Sequence, residues 1–186
     1  MVSIILLNWN GNKYIFDCIK SVEEQIYNNL ELIIVDNGST DGSIERIERE
    51  YSQYKVIKNK SNVGFARGMN IGFKIAKGEF VMPLNLDVYL EKNYIKEAVE
   101  IFKNDPKIGV IGGQEFIWEK GILTNNKNNN AGALFIRKRM QVRGAKTENS
   151  QYCFGVSGSF PLLRKEMLDD LKGITGYYYD PKFETG

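Results

Sequence analysis

The sequence predicts an α/β chain built on a mostly parallel sheet with helices on both faces, and three observations carry the prediction. Short aliphatic runs recur at Val2–Leu7, Leu30–Val35, Tyr54–Ile57, Phe80–Leu84 and Ile108–Ile111. Between them, apolar residues fall three and four apart, as at Ile15, Ile19, Val22 and Ile26, which is a helical period. The runs themselves lack polar alternation, as expected of parallel strands covered on both faces.

Each element follows from its local residues. Val2–Leu7 reads as a central buried strand, broken by Asn8-Trp9-Asn10-Gly11-Asn12, and Tyr14–Ile26 as the helix after it. Leu30–Val35 is the second strand. The segment Asp36-Asn37-Gly38-Ser39-Thr40-Asp41-Gly42-Ser43 behind it is almost wholly turn-forming. Thr40 or Asp41 there is placed to cap a helix over Ser43–Glu50, with Ile44 and Ile47 inward. After the strand Tyr54–Ile57, a loop through Asn62-Val63-Gly64 enters a helix over Phe65–Ala76, which Lys77-Gly78 closes with glycine in the C′ position. Phe80–Leu84 is a buried strand ending in Asn85-Leu86-Asp87. Leu90–Phe102 is an amphipathic helix closed by Asp105-Pro106, and Ile108–Ile111 runs into Gly112-Gly113. Such alternation gives a parallel sheet with right-handed crossovers. The regularity then stops. Residues 114–150 are polar, Asn-rich and basic near Arg137–Arg143, and a β-ribbon is expected there between Phe116-Ile117-Trp118 and Ala133–Ile136. Tyr152–Leu163 reads as a strand interrupted at Gly158, and Arg164–Leu171 as a short helix.

Composition bounds the function. A chain of 186 residues with 42% hydrophobic content buries one sizeable core, and with no internal repeat or linker it reads as a single domain, 1–186. Twenty-five basic residues against 23 acidic ones leave a net charge of +2, which makes no case for nucleic acid as the partner. The absence of histidine excludes His-based triads and His-ligated metals from this chain. Cys18 and Cys153 are far apart and read as buried free thiols rather than as a disulfide or metal pair. The first strand is short and lacks a basic leader, so neither a signal peptide nor a membrane span is expected there, and a cytoplasmic location follows. The first turn has no G-x-G-x-x-G, and no G-x-x-x-x-G-K-[ST] occurs, which argues against Rossmann dinucleotide binding and a P-loop.

What remains is a set of polar groups at strand ends: Asn8 and Asn10, Asp36 and Asn37, Asn85 and Asp87. In open α/β sheets, ligands bind outside the carboxyl ends of the strands. Asp87 can hold one side of Mg²⁺ or Mn²⁺ whose other ligands are water and phosphate oxygens. Asp36 can accept an imide N–H from a uracil or thymine ring, and Asn8 can read a base edge. Arg67 and the start of the Phe65 helix suit a diphosphate. The plainer account of Asp36–Ser43 is an N-cap with its turn, which explains Thr40 and Asp41 but not an acid at the strand end.

Four blocks in order, Val2–Gly11, Glu31–Ser43, Asn62–Ala66 and Asn85–Asp87, resemble family 2 glycosyltransferases of the GT-A fold. Asn62-Val63-Gly64-Phe65-Ala66 is similar to the rhamnosyltransferase-like branch. Val156–Phe160 with Arg164-Lys165-Glu166 resembles the block before the family's catalytic carboxylate. The resemblance implies inverting transfer of a sugar from a dTDP- or UDP-sugar to a saccharide or lipid-linked acceptor, with peripheral contact at the inner membrane face. It implies a nucleotide-sugar half over 1–113 and an acceptor-side half over 114–186, trimmed at its C-terminal side. By the family pattern Asp36 contacts the base and Asp87 holds the metal, and the strand-end residues Asn8, Asn10, Asn37, Arg67 and Asn85 are the further nucleotide-binding candidates. This chain has Asn85 where the usual D-x-D begins, and Met69 where many members carry an arginine. The family's base is a Glu-Asp pair after a segment like Tyr179–Glu184, and Glu184 is the carboxylate here that stands in for it. Two other readings stay open: a nucleotide-sugar-binding module without a base, and a nucleotidyltransferase, which would want a basic Gly-rich loop after the first strand. Trp118 and Tyr177-Tyr178-Tyr179 are placed to stack an acceptor sugar or to fill the core, and the basic run from Arg137 to Arg143 to meet anionic lipid or solvent.

Overall fold

The computed structural model describes residues 1–119, 122–127, 133–136, 141–144, 153 and 156–183. Glu184, Arg137-Lys138-Arg139, Asn128-Asn129-Asn130 and Tyr152 lie outside the described residues, as do the side chains of Trp118 and Arg143.

A six-stranded sheet forms the centre. Its strands are β1 (Val2–Asn8), β2 (Leu30–Asp36), β3 (Lys55–Lys58), β4 (Phe80–Leu84), β5 (Val110–Ile111) and β10 (Leu162–Arg164), in the order β3-β2-β1-β4-β10-β5. β1 pairs in parallel with β2 and β4, in register Asn8 to Asp36 and Leu6 to Leu84. β10 runs antiparallel between β4 and β5. Strands β6 (Phe116–Glu119) and β7 (Ile122–Lys127) form one small ribbon, and β8 (Ala133–Ile136) and β9 (Gln141–Gly144) a second. The expected single ribbon joining Phe116–Trp118 to Ala133–Ile136 is therefore replaced by two local hairpins, each strand pairing with its sequence neighbour.

Among the described residues five α-helices cover the sheet: α1 (Ile15–Glu23), α2 (Ser43–Glu50), α3 (Phe65–Ile75), α4 (Tyr94–Asn104) and α5 (Lys165–Thr175). Alternation along β1 distributes them. Val2, Ile4 and Leu6 join a core with Ile15, Ile19, Ile47, Val99 and Phe102, from α1, α2 and α4. Ile5 faces the other way, into a core with Met69 and Phe73 of α3 and Leu168 of α5. The mostly parallel α/β prediction is what the chain adopts.

Element ends differ where tertiary contacts override local signals. α1 stops at Glu23, because the buried Gln25 side chain turns the chain by donating to Ser21 O and Glu91 O. α4 begins at Tyr94 rather than Leu90. α5 runs on to Thr175 and ends at Gly176 in the left-handed conformation. Of the expected strand over Tyr152–Leu163, the described residues 156–160 are irregular, and the strand that forms is Leu162–Arg164.

Gly78 also departs from expectation. It is not a left-handed C′ residue; α3 ends at Ala76, already extended. Gly78 is needed because a Cβ there would lie 2.6 Å from Ser3 N and from Phe80 O. Its own N–H donates to Ser3 Oγ at 2.7 Å, and that hydroxyl donates in turn to Glu31. Gly78→Ala is expected to cost about 2 kcal/mol by overpacking against backbone. That lowers the melting temperature by about 4–8 °C in a thermal melt, and a shift under about 1 °C would show that the strand steps aside freely.

Candidate functional site

The topology brings the carboxyl ends of β1, β2 and β4 to one edge, side by side. The loops there are laced together by side chains. Asn8 is fully buried, and its Nδ2 lies 2.8 Å from Asp36 Oδ1, 2.9 Å from Ser43 Oγ and 3.0 Å from Ser39 Oγ. Both serine hydroxyls can accept because each donates elsewhere, Ser39 to Asp36 Oδ1 and Ser43 to Asp41 Oδ1. Asn10, at a φ of 52°, accepts the Thr40 N–H at 2.8 Å and donates its own N–H to Ser39 Oγ. Asn12 N–H donates to Asp41 Oδ2. The first two loops thus act as one body.

Asp36 anchors it. The carboxylate is 2% exposed and accepts four hydrogen bonds: Asn8 Nδ2 and Ser39 Oγ on Oδ1, and the backbone N–H groups of Gly38 and Ser39 on Oδ2. Those bonds fill its lone-pair sites. An incoming imide N–H has to replace one of them, and the rotatable Ser39 hydroxyl is the one that can swing away. Neither Thr40 nor Asp41 is the N-cap of α2: that position falls to the left-handed Gly42, and Asp41, one residue earlier, accepts the Ser43 N–H at 3.0 Å. Partial burial pulls the Asp41 pKa upward, but hydrogen bonds from Ser43 and Asn12 outweigh it and hold the group below its ordinary value.

Asn37 ties in the next loop. Its Nδ2 donates to Asn62 Oδ1 and Gly64 O, both at 3.1 Å, and its Oδ1 accepts from Asn59 Nδ2 at 2.8 Å. Gly38, at φ 75°, packs so close that a Cβ would sit 2.8 Å from Ser61 Cα. This network seats Gly64 and hence the first turn of α3, where Arg67 is exposed.

The β4 end is built differently. Asn85 N–H donates to Ser159 O at 2.9 Å, and the Cys18 thiol reaches Asn85 O at 3.5 Å. Burial, helped by the charge of Asp87, pushes that thiol up to about 12, so it stays protonated and able to donate. Cys18 is buried and free, as the sequence suggested. Asn85 is half-buried and Asp87 exposed. The Asp87 carboxylate forms no hydrogen bond or ion pair among the described residues, and no cluster of three His, Cys, Asp or Glu exists among them.

The structure therefore gathers Asn8, Asn10, Asp36, Asn37, Arg67, Asn85 and Asp87 at one edge, with Asn8, Asp36 and Asn37 behind its surface. Sequence reasoning passed over Trp9, which is 57% exposed between two of these residues. Its signal was available: a large aromatic inside a polar strand-end turn. A cavity of about 470 Å³ opens at the opposite end of the sheet, lined by Lys77, Glu79, Arg164, Lys165 and Asp169. It receives none of the strand-end groups.

A mostly parallel sheet with polar groups gathered at the carboxyl ends of its strands is the layout expected of a GT-A fold, as of open α/β sheets that bind ligands there. Residues 3–172 match the family described as Glycosyl transferase family 2, and the chain belongs to that family. It is 24% identical to the glycosyltransferase GlyG of Streptococcus pneumoniae, across 97% of this chain and 62% of that one. It is 28% identical to the poly-beta-1,6-N-acetyl-D-glucosamine synthase of Staphylococcus epidermidis, across 91% of this chain and 41% of the relative. The chain thus spans less than two thirds of these curated relatives. In fold it is similar to S. aureus TarS 1-349 in complex with UDP-GlcNAc, with a TM-score of 0.68 at 22% identity, over 92% of this chain and 47% of that one. It is likewise similar to the mannosyltransferase PcManGT from Pyrobaculum calidifontis in complex with GDP-Man and Mn2+, with a TM-score of 0.65 at 19% identity, over 91% of this chain and 46% of that one.

Proposed function

We propose that this chain binds a UDP- or dTDP-sugar at the strand ends with Mg²⁺ or Mn²⁺ and transfers the sugar, with inversion, to a hydroxyl of a saccharide or lipid-linked acceptor. The observation that carries the proposal is the exposed Asp87 carboxylate, without hydrogen-bond partners among the described residues, at the end of a central strand in a chain of this family. The neighbouring folds support it, one holding UDP-GlcNAc and another GDP-Man with Mn2+.

Asp87 and the Asn85 side-chain oxygen, two residues apart in the turn after β4, are the groups that would hold a divalent ion. When bound, such an ion would supply positive charge against a departing diphosphate. Arg67 and the first N–H groups of α3 meet the phosphates. Trp9 offers a face on which a base stacks. Asp36 accepts the imide N–H that uracil and thymine share, once Ser39 Oγ has turned aside, while Asn8 and Asn37 keep the loops in place and Asn10 lines the rim.

In the transfer step the acceptor oxygen attacks the anomeric carbon from the face opposite the diphosphate. A carboxylate takes the acceptor proton, and the nucleoside diphosphate leaves with the bonding pair. Glu184 is the carboxylate of this chain that could stand in for that base, and the alternative is a nucleotide-sugar-binding module without one. No helix among the described residues is long and apolar enough to cross a membrane.

Calorimetric titration of UDP and dTDP, each with and without Mn²⁺, tests the donor site. One nucleotide is expected to bind only when Mn²⁺ is present. Failure of both to bind under every metal condition overturns the proposal.

A further inference from the structure

Asn70 lies on α3, nearly buried, one turn after the residues that face the strand ends. Its amide grips the main chain of a residue 109 positions away. Nδ2 donates to Tyr179 O at 2.7 Å, and Oδ1 accepts the Tyr179 N–H at 2.9 Å. Among side chains of this length, only a primary amide supplies donor and acceptor together. Aspartate keeps the acceptor alone, and leucine offers neither.

The rings reinforce the grip. Tyr179 is stacked on Phe65 at 5.9 Å and lies edge-on to Phe73 at 5.3 Å, while Tyr178 meets Phe73 at 5.4 Å. Burial pushes the Tyr179 phenol up to about 12. The stretch so held carries Asp180, whose Oδ1 accepts the Lys182 N–H at 2.9 Å and opens the 3-10 turn Pro181–Phe183, packed against α3. Phe65 is the first residue of α3 and remains half-exposed at the strand-end edge, so one of its faces is open to a ligand while its ring rests on Tyr179.

We propose that Asn70 is a positioning residue: it holds Tyr179–Phe183 as a wall beside the first turn of α3, coupling nucleotide binding at that turn to the ordering of the wall. The inference rests on the donor-site reading above. Coupling of this kind is reciprocal. If the latched wall favours nucleotide, bound nucleotide must tighten the latch by the same factor.

Hydrogen exchange at the Tyr179 amide reads the latch directly, and calorimetry reads the nucleotide. The proteins are the wild type, Asn70→Leu and the near-isosteric Asn70→Asp, which keeps the acceptor for the Tyr179 N–H and serves if the leucine variant does not fold. The probe is UDP or dTDP with Mn²⁺. In the wild type, nucleotide is expected to slow exchange at Tyr179 about five-fold or more. Both variants are expected to bind nucleotide about five-fold more weakly or worse, with the ligand-dependent slowing gone. If the wild type binds neither nucleotide, the donor-site reading falls and takes the inference with it. If the wild type binds but Tyr179 exchange does not respond, or the variants bind as the wild type does, the inference alone is overturned and Asn70 is only a packing residue.

Discussion

Asp87→Ala is expected to weaken Mn²⁺-dependent nucleotide binding on the order of 100-fold, about 2.7 kcal/mol, and to leave the fold as it was. The argument is one of supply. A divalent ion held between protein and diphosphate takes one or two carboxylates from the chain and the rest of its oxygens from the ligand and water. Asn85 stands where a second acid would be, and among the described residues no group of three acidic, cysteine or histidine side chains can take over. Removing Asp87 therefore removes the only full negative charge the turn after β4 offers. Because the side chain is exposed, the fold should be indifferent, with the melting temperature within about 2 °C of wild type. Calorimetry with and without Mn²⁺, beside a thermal melt, checks both halves. A change of less than about three-fold in the presence of Mn²⁺ would remove Asp87 from the metal site.

Asp36→Ala should act in the opposite sense, on the fold first. It strips the partner from two backbone N–H groups and the Ser39 hydroxyl, while the buried Asn8 amide loses one of three acceptors and keeps Ser39 Oγ and Ser43 Oγ. Each buried donor left unpaired costs about 1–3 kcal/mol, reduced here because Gly38 and Ser39 are half-buried and water can reach them. A total of about 3 kcal/mol is expected, or about 6–12 °C in melting temperature. Asp36→Asn is the sharper variant. Both oxygens face donors, so whichever one becomes an NH₂ group opposes N–H or O–H groups, and the loss should approach that of alanine. A melt for Asp36→Asn within about 2 °C of wild type would show that charge and network at this position are dispensable.

Much of this fold was legible because buried parallel strands announce themselves. Leu30–Val35 and Phe80–Leu84 are apolar runs that no exposed element tolerates, and they end within a residue of the observed strands. β10 was not legible in the same way. It has three residues, and it is a strand only because β4 and β5 leave a slot for it. Gly78 misled for a related reason: glycine after a helix normally signals a turn, and here it answers to the backbone of Ser3, distant in sequence. Asn8, Asp36 and Asp87 were found as residues because strand-end polarity is visible in sequence. What Asn8 does was hidden, since its partners Ser39 and Ser43 come from another strand's loop and meet it only through the β1–β2 register. Asn70 lay inside a helix pattern and gave no sign of its partner at Tyr179.

The place of β10 has a consequence for how the chain is made. Phe80–Leu84 is buried at every position in the finished sheet, yet one of its two neighbours is Leu162–Arg164. During synthesis at about 5–20 residues per second, β4 leaves the ribosome seconds before its second partner exists. For that interval an apolar strand has an open hydrogen-bonding edge, the kind that recruits stray strands. The nascent chain is thus most vulnerable to aggregation between the emergence of Leu84 and that of Leu162, and a chaperone that shields extended apolar segments would have its use in that window.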